Sequence, residues 1–166
     1  MSANWLIRVA DSEQDARIIG ELWAQLVDYH LDLDTNMPVA AEDGAYRYAQ
    51  RISQSMHDTY SRVLVADSHG EIIGYVLGTV IDLLPEMFVA ERTGFLADIF
   101  VHPDWRGHGV GTALVEALEG WFRSRNVDYM EWYVATANVD GIAFWKSRGG
   151  QEIMQRLRMH LDSNDG

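Results

Sequence analysis

The 166-residue sequence contains no cysteine, three prolines and a single lysine. Without cysteine there is no disulfide, no thiol nucleophile and no zinc or iron–sulfur centre held by cysteine. Basic residues are also scarce, with 13 Lys and Arg against 25 Asp and Glu. The resulting net charge of −12 argues against a nucleic acid partner, whose phosphates require a basic face.

Long apolar runs are absent as well, since none reaches the roughly 18–20 residues of a membrane span. The first residues lack the basic and then apolar layout of a secretory signal, so we expect a cytoplasmic protein without a membrane segment. Apolar residues make up 48% of the chain and charged residues 23%, which is typical of a globular protein. The length fits one domain over residues 1–166.

The acidic charge is concentrated in the first part of the chain. Residues 1–101 contain 16 Asp and Glu against 6 Arg, a balance of −10, whereas residues 102–161 contain 7 acidic and 7 basic residues, a balance of zero. The acidic part could attract a cationic partner, and the neutral part could tolerate an anionic ligand. The alternative is that the acidity only keeps the protein soluble.

Hydrophobic periodicity predicts alternating groups of strands and helices. The predicted elements are a strand over 5–10, helices over 11–29 and 42–55, strands over 62–66, 71–82 and 95–101, a helix over 110–125, a strand over 129–135, a helix over 139–147, and one or two strands within 151–161. Three consecutive strands imply antiparallel pairing, and the strand–helix–strand unit over 95–135 implies a parallel pair. We therefore predict an α/β fold in which helices flank a mixed sheet.

The most informative segment is the turn between the strand ending at Val101 and the helix beginning near Gly109. It contains Arg106, Gly107, Gly109 and Gly111. Glycines at this spacing let the backbone approach a ligand, and the first N–H groups of a helix have no internal partners. With the helix dipole they form a site suited to a pyrophosphate, to which Arg106 can add a charge-assisted hydrogen bond.

Two sequence patterns that bind phosphate groups are missing from this turn, which limits the classes of phosphate ligand that it could bind. A Walker A loop needs Gly-Lys followed by Ser or Thr, and the dinucleotide fingerprint needs a different glycine spacing and a downstream acidic residue. Neither is present. Taken alone, the glycines would also suit a tight strand-to-helix turn with nothing bound, and a nucleotide-binding protein remains an alternative.

Two blocks of the sequence resemble the GNAT superfamily of N-acyltransferases. Arg106-Gly-His-Gly-Val-Gly111 is similar to the family signature Q/R-x-x-G-x-G/A, and it follows the strand Leu96–Val101. Downstream, Asn138-Val-Asp-Gly-Ile-Ala-Phe-Trp-Lys-Ser-Arg-Gly149 is similar to the family pattern Asn-x-x-Ala-x-x-x-Tyr-x-x-x-Gly. The blocks cover about residues 95–150, and the order of elements fits nearly the whole chain.

The resemblance implies that acetyl-CoA is the co-substrate and that an amine is the acceptor. It places the pyrophosphate on the backbone amides of Gly107, His108, Gly109, Val110, Gly111 and Thr112. It pairs the pantetheine arm with the backbone of Ile99, Phe100 and Val101, between strands 95–101 and 129–135, and lets a backbone N–H near Phe100 or Val101 polarise the thioester carbonyl. Asn138 would bind the pantetheine chain, cap its helix, or do both.

The sequence departs from the family pattern at the position of the general acid. The family tyrosine that protonates the departing thiolate corresponds here to Trp145, and indole cannot supply a proton at neutral pH. Tyr133 on the neighbouring strand or solvent could replace it. The third reading is a domain that binds acyl-CoA without efficient catalysis, as a sensor or regulatory module.

The general base is also open. Phe95–Val101 resembles the corresponding strand of spermidine/spermine acetyltransferases, but Ala97 occupies the position expected for their glutamate. Strand alternation directs the adjacent Asp98 to the opposite face, from which it could act through a water or serve as a structural carboxylate. Glu131 is a weaker candidate.

The acceptor and the assembly are less constrained. An acidic group after the first helix, from Asp28 to Asp43, either lines the acceptor mouth or forms an acidic surface loop. We expect a small cationic amine, a polyamine, or an amino-acid or peptide amine as acceptor. We also expect no metal site, and a homodimer is an option that the resemblance suggests.

Overall fold

The structure is a computed structural model in which residues 4–161 are described. Its order of helices and strands matches the sequence prediction up to the last helix. The elements are β1 (Leu6–Val9), α1 (Glu13–Leu33), α2 (Gly44–Met56), β2 (Ser61–Ser68), β3 (Glu71–Ile81), β4 (Thr93–Val101), α3 (Val110–Ser124), β5 (Tyr129–Glu131) and α4 (Val139–Ser147). A single 3₁₀ turn, Pro103–Trp105, lies between β4 and α3.

The strands form one sheet in the order β1-β2-β3-β4-β5. The first three pairings are antiparallel, and β4 pairs with β5 in parallel across the α3 connection. The turn between β2 and β3 has positive φ at His69 and Gly70, as a two-residue hairpin turn requires. The predicted mixed sheet of an α/β fold is confirmed.

Helices cover both faces of this sheet. On one face, α1 and α2 contribute Ile19, Leu22 and Ile52 to a core that also contains Tyr75 and Phe100 from the strands. On the other face, α3 packs directly on strand glycines, because a Cβ at Gly78 would lie 2.6 Å from a methyl of Leu118 and one at Gly94 would lie 2.8 Å from the ring of Phe122. These glycines set how closely α3 approaches β3 and β4.

The chain divides into two compact units, Met1–Tyr133 and Val134–Gly166. The first unit holds the sheet and α1–α3. In the second unit, Asn138 caps α4 as predicted, because its side chain accepts a hydrogen bond of 3.0 Å from the N–H of Gly141. The helix ends before Gly149, which has a φ of 93°.

Two strand predictions near the C-terminal end were wrong, one in existence and one in length. The strand or strands expected within 151–161 are absent from these described residues. Alternating apolar residues suggested them, but a strand also needs a neighbouring strand, and none pairs with this segment here. Likewise β5 ends at Glu131 rather than at 135, because its register with β4 stops at Phe95. Helix α1, in contrast, continues one turn beyond the expected end, to Leu33.

Among residues 4–161, no helix is both long and apolar enough to cross a bilayer.

An ion-pair network joins β1, α1 and β2. The guanidinium of Arg8 holds both carboxylate oxygens of Asp15, at 2.8 and 2.9 Å, and its Nε donates to Asp67 at 2.8 Å. The N–H of Asp11 donates to the same Asp15 carboxylate. The hydrogen bonds from Arg8 lower the pKa of Asp15 from 3.8 to about 2, even though the side chain is buried.

Replacing Asp15 should therefore change how stability depends on acid. A folded-state pKa below the unfolded value stabilises the protein above about pH 4, and this contribution is lost as the pH falls toward 2. We predict that Asp15→Asn lowers the free energy of unfolding at pH 7 by about 2 kcal/mol. Urea unfolding at pH 7, 4 and 2.5 measures the difference, which should shrink with decreasing pH.

The control is Asp11→Asn. The Asp11 carboxylate lies 3.8 Å from Arg8 and its side chain is 80% exposed, so its removal should cost less than about 0.5 kcal/mol. If the two variants had the same pH dependence, the Arg8–Asp15 pair would not be the source of the acid sensitivity.

Candidate active site

The candidate site begins where β4 and β5 separate. The two strands pair only at Thr93–Tyr129, Gly94–Met130 and Phe95–Glu131. From Leu96 to Val101, β4 remains paired with β3 alone among the described residues. This stretch is an open edge, because backbone groups on the β5 side have no neighbouring strand.

The open edge presents the backbones of Ile99 and Val101. The N–H of His102 donates to the carbonyl of Ile73 on β3 at 2.8 Å. Because successive strand residues direct their N–H and C=O groups to opposite sides, Phe100 also faces β3, whereas Ile99 and Val101 face away from it. Of the three residues expected to contact pantetheine, Ile99 and Val101 therefore offer free-edge backbone groups, and Phe100 contributes its ring to the core.

A β-bulge at Ala97 changes the direction of Asp98. Leu77 pairs with Asp98 and Gly78 with Leu96, so Ala97 is an extra residue in β4. Ala97 lines a cavity beside α2, and Asp98 accepts a hydrogen bond of 2.7 Å from the hydroxyl of Tyr48 on α2. Both side chains therefore face the α2 side. The expectation that Asp98 points to the opposite face was wrong, because the bulge interrupts the alternation.

Asp98 lies in a largely buried polar group that the sequence pattern did not predict. Burial raises the pKa of Asp98, while the hydrogen bond from Tyr48 and the charge of Arg51 oppose the rise. Burial also raises the pKa of Tyr48 and of Tyr75, which packs against the Tyr48 ring. Tyr48 and Arg51 are one turn apart on α2, and this spacing was the only signal in the sequence that could have indicated the group.

The glycine turn follows directly from the open edge. Gly107 and Gly109 have φ of 76° and 82°, and a Cβ added to either would meet no atom within 4 Å. Positive φ is readily adopted only by glycine, so these two residues give a left-handed turn with open space in front of it. Gly109 is the N-cap of α3 and has no side chain with which to cap it.

The backbone N–H groups of residues 107–112 have no hydrogen-bond partner within the described chain. The first internal bond of α3 runs from the N–H of Ala113 to the carbonyl of Gly109. Consecutive unpaired donors at a helix N-terminus, next to exposed glycines, are suited to an anion. The predicted amides of Gly107, His108, Gly109, Val110, Gly111 and Thr112 are thus consecutive unpaired donors at one helix N-terminus, and their binding of a diphosphate stays a prediction.

The side chain of Arg106 is directed to the open edge. Its Nε donates to the carbonyl of Val101 at 3.0 Å, and its guanidinium lies over the rings of Tyr29 and Phe100, at 4.8 and 5.3 Å. The sequence pattern placed this charge on the phosphates. In the structure the Arg106 side chain contacts α1 and the end of β4, and its role toward the phosphates stays a prediction.

The remaining predicted residues are distributed over both units. Tyr133 is 80% exposed, and its ring packs edge-on against Phe95, the last β4 residue paired with β5. Glu131 is the β5 partner of Phe95. In the second unit, Asn138 caps α4, and the ring of Trp145 contacts that of Phe144.

A model of the acetyltransferase (GNAT) family matches residues 23–149, a range that includes the bulge, the glycine turn and α4. The chain belongs to the GNAT acetyltransferase family. The family suggested by the Arg106–Gly111 and Asn138–Gly149 blocks is confirmed.

Curated relatives of this GNAT protein match it in part. An uncharacterised N-acetyltransferase of Methanocaldococcus jannaschii is 32% identical over 90 residues, which are 53% of this chain and 38% of the relative. An aminoglycoside N(6′)-acetyltransferase of Stenotrophomonas maltophilia is 31% identical over 75 residues, which are 45% of this chain and 49% of the relative. The matches thus span less than half the length of these two relatives.

Solved structures show the same fold over nearly the whole GNAT chain. A Bacillus halodurans protein superposes with a TM-score of 0.83 and 24% identity, covering 94% of this chain and 99% of its own. A predicted acetyltransferase of Clostridium acetobutylicum, solved with acetyl-CoA, has a TM-score of 0.74 and 18% identity, covering 94% and 96%.

We predict that Gly109→Ala weakens CoA binding at least about tenfold, because its methyl group would project into the space before the free N–H groups. Gly70→Ala is the matched control. Gly70 also has a positive φ, 91°, and open space where an added Cβ would lie, but it is in the hairpin turn. Each substitution should cost about 1 kcal/mol in backbone strain.

Isothermal titration calorimetry with CoA separates the two effects. Equal CoA affinity for both variants would remove the glycine turn from the binding site. Binding of ATP or NAD without binding of CoA would favour a nucleotide-binding protein instead.

Proposed function

We propose that this protein is an acetyl-CoA-dependent N-acetyltransferase that acetylates a primary amine of a small molecule or peptide. The observation that carries the proposal is the row of six free N–H groups at residues 107–112, directly after the open edge of β4. The row suits a diphosphate, and the edge suits an extended chain of amides leading away from it. CoA has these two parts in this order.

The open edge also supports a role in activating the thioester. Ile99 and Val101 direct their N–H groups away from β3, and Arg106 accounts for the carbonyl of Val101 but not for its N–H. A fixed N–H donor aimed at the carbonyl oxygen would stabilise the negative charge that develops there during attack. We assign this donor to Val101 or Ile99 rather than to Phe100.

Asp98 is the general base in this proposal. The bulge directs it to the α2 side, where a cavity of about 480 Å³ adjoins Phe95 and Ala97. Its raised pKa makes it a better proton acceptor than an ordinary aspartate near neutral pH. One ammonium proton passes to Asp98 through water, the amine nitrogen bonds to the acetyl carbon and releases its second proton to solvent, and the carbon–sulfur bond breaks.

The departing thiolate then needs a proton. Trp145 has no acidic proton to give, so we assign this step to Tyr133, which lies against Phe95 where the strands separate. Because a thiolate is a good leaving group, solvent is the alternative donor. A CoA-binding module without catalysis is the second candidate function, and the tryptophan at position 145 is the observation that favours it.

A panel of primary amines, assayed for release of CoA thiol, tests the function. We predict turnover with at least one acceptor, and a decrease in kcat of about 10²- to 10⁴-fold in Asp98→Asn, whose amide oxygen can still accept from Tyr48. The wild-type rate should fall with acid as Asp98 becomes protonated at its raised pKa, with Tyr48, Tyr75 and Arg51 as the groups around it. The residual rate of Asp98→Asn should rise with pH, because more amine is then deprotonated.

The control is Asp58→Asn, which lies on the same cavity but has its carboxylate hydrogen-bonded to the N–H of Tyr60 and the hydroxyl of Ser61. It should keep the wild-type pH profile. Tight acetyl-CoA binding without thiol release from any amine would instead indicate the non-catalytic module.

Tyr133→Phe tests the proton donor. The phenylalanine ring keeps the contact with Phe95, so the fold should be unaffected, and we predict a decrease in kcat of about 10- to 100-fold at unchanged KM for acetyl-CoA. Tyr129→Phe, on β5 and also exposed, is the control. An unchanged kcat in Tyr133→Phe would assign the proton to solvent.

A further inference from the structure

We propose that the acceptor is an amino acid or a closely similar molecule, whose carboxylate binds Arg51 and whose amine faces Asp98. This inference rests on the proposed function, because it names the substrate class of the same site. It starts from the cavity on the α2 side of β4, which has a volume of about 480 Å³ and adjoins the bulge at Ala97.

The two charged side chains of this cavity differ in how many hydrogen bonds they already make. Two charged residues line it, Arg51 and Asp58. The Asp58 carboxylate already accepts hydrogen bonds from the N–H of Tyr60 and from the hydroxyl of Ser61, at 3.0 and 2.9 Å. Arg51 makes no hydrogen bond and no short ion pair with a residue in the described range 4–161, although its charge acts on the nearby Asp98. The N–H donors of its guanidinium therefore remain available, and they fit a carboxylate.

The neutral polar groups of the cavity do not change this balance. The hydroxyl of Ser61 donates to Asp58 and also lies 3.1 Å from that of Thr79, which bonds to the carbonyl of Tyr60. These groups satisfy one another within the wall. Arg51 thus keeps its guanidinium donors available beside the candidate base, Asp98.

The position of Arg51 near Asp98 suits a small acceptor that contacts Arg51 directly and Asp98 through water. Tyr48, which holds Asp98, is one helical turn before Arg51, and such neighbours lie about 5–6 Å apart at their Cβ atoms. The charge of Arg51 lowers the pKa of Asp98, which also indicates proximity. An α-amino acid carries its ammonium and carboxylate groups on a single carbon, so it suits this short span.

Four apolar residues of the sheet line the cavity and favour an apolar side chain on the acceptor, whereas Gln54 and Ser55 line it from α2. Leu77 and Ile81 of β3 and Phe95 and Ala97 of β4 line the cavity opposite α2. An aminoglycoside, in contrast, is a polycation without a carboxylate, so it has no group for the Arg51 guanidinium to bind. The cavity therefore distinguishes this chain from its aminoglycoside-acetylating relative, despite the acidic charge of the whole protein.

The test compares leucine, methionine and phenylalanine with their α-amides and with the aminoglycoside kanamycin. We expect kcat/KM to be about 10- to 100-fold higher for each acid than for its amide, because one charge-assisted hydrogen-bonded pair is lost in the amide. Arg51→Gln should abolish this preference, so that the ratio of kcat/KM for each acid to kcat/KM for its amide falls to about one. Arg51→Lys should retain part of it. Arg47→Gln is the matched control, because Arg47 is on the same helix but pairs with Asp43.

A binding measurement separates this inference from the proposed function. Calorimetry of the protein with CoA measures the affinity for N-acetyl-leucine and for its amide, and the acid should bind about tenfold tighter in the wild type only. Turnover of amides or kanamycin that equals or exceeds that of the acids would overturn the inference while leaving an acetyltransferase. Acid-selective, Arg51-dependent binding without any turnover would support the inference and contradict the proposed function.

Discussion

The first turn of α3 supplies more hydrogen-bond donors than the chain can satisfy. The N–H groups of residues 107–112 lack partners within the described chain, and a positive φ at Gly107 and Gly109 keeps the space before them open. Water can satisfy such N–H groups, but they bind an anion more strongly, because the helix dipole adds to their partial positive charge. The position of this turn depends on how closely α3 packs against the strand glycines Gly78 and Gly94.

The second part of the candidate site is the edge of β4, which is exposed because the pairing between β4 and β5 is short. Because β5 stops at Glu131, β4 has no neighbouring strand on that side from Leu96 onward in the described chain, and this edge is suited to an extended ligand. The bulge at Ala97 occurs within this stretch, in the pairing with β3, and turns Asp98 toward α2. One irregularity in β4 thus places the proposed base and the acceptor cavity on the same side, next to the open edge.

The fold followed from the sequence because its elements have strong local signals. The apolar stripe of α3, the Asn138 cap and the His69–Gly70 turn each depend on neighbouring residues, and all are present. The closing strand and the full length of β5 were wrong, because strand formation depends on distant partners that a local pattern does not reveal.

Part of the candidate site could also be predicted from the sequence. Its glycines and amides were identified, since a helix N-terminus after a glycine turn has a fixed geometry. The direction of Asp98 was missed, because no local sequence signal indicates a bulge, and Arg51 was missed because its lack of a hydrogen-bond partner in the described chain depends on distant residues. Charge over the whole sequence suggested a cationic acceptor, whereas our proposal assigns the acceptor a carboxylate that binds Arg51. Local satisfaction of charges, which decides this difference, is visible only in three dimensions.

The backbone amides themselves give the most direct test of the account. In ¹⁵N-labelled protein, the amide resonances of residues 107–112 should shift strongly on titration with CoA and little on titration with pantetheine, which lacks the diphosphate. The resonances of Ile99 and Val101 should shift with both ligands. If CoA bound while the amides of 107–112 kept their chemical shifts, the diphosphate would lie elsewhere and the central claim would be wrong.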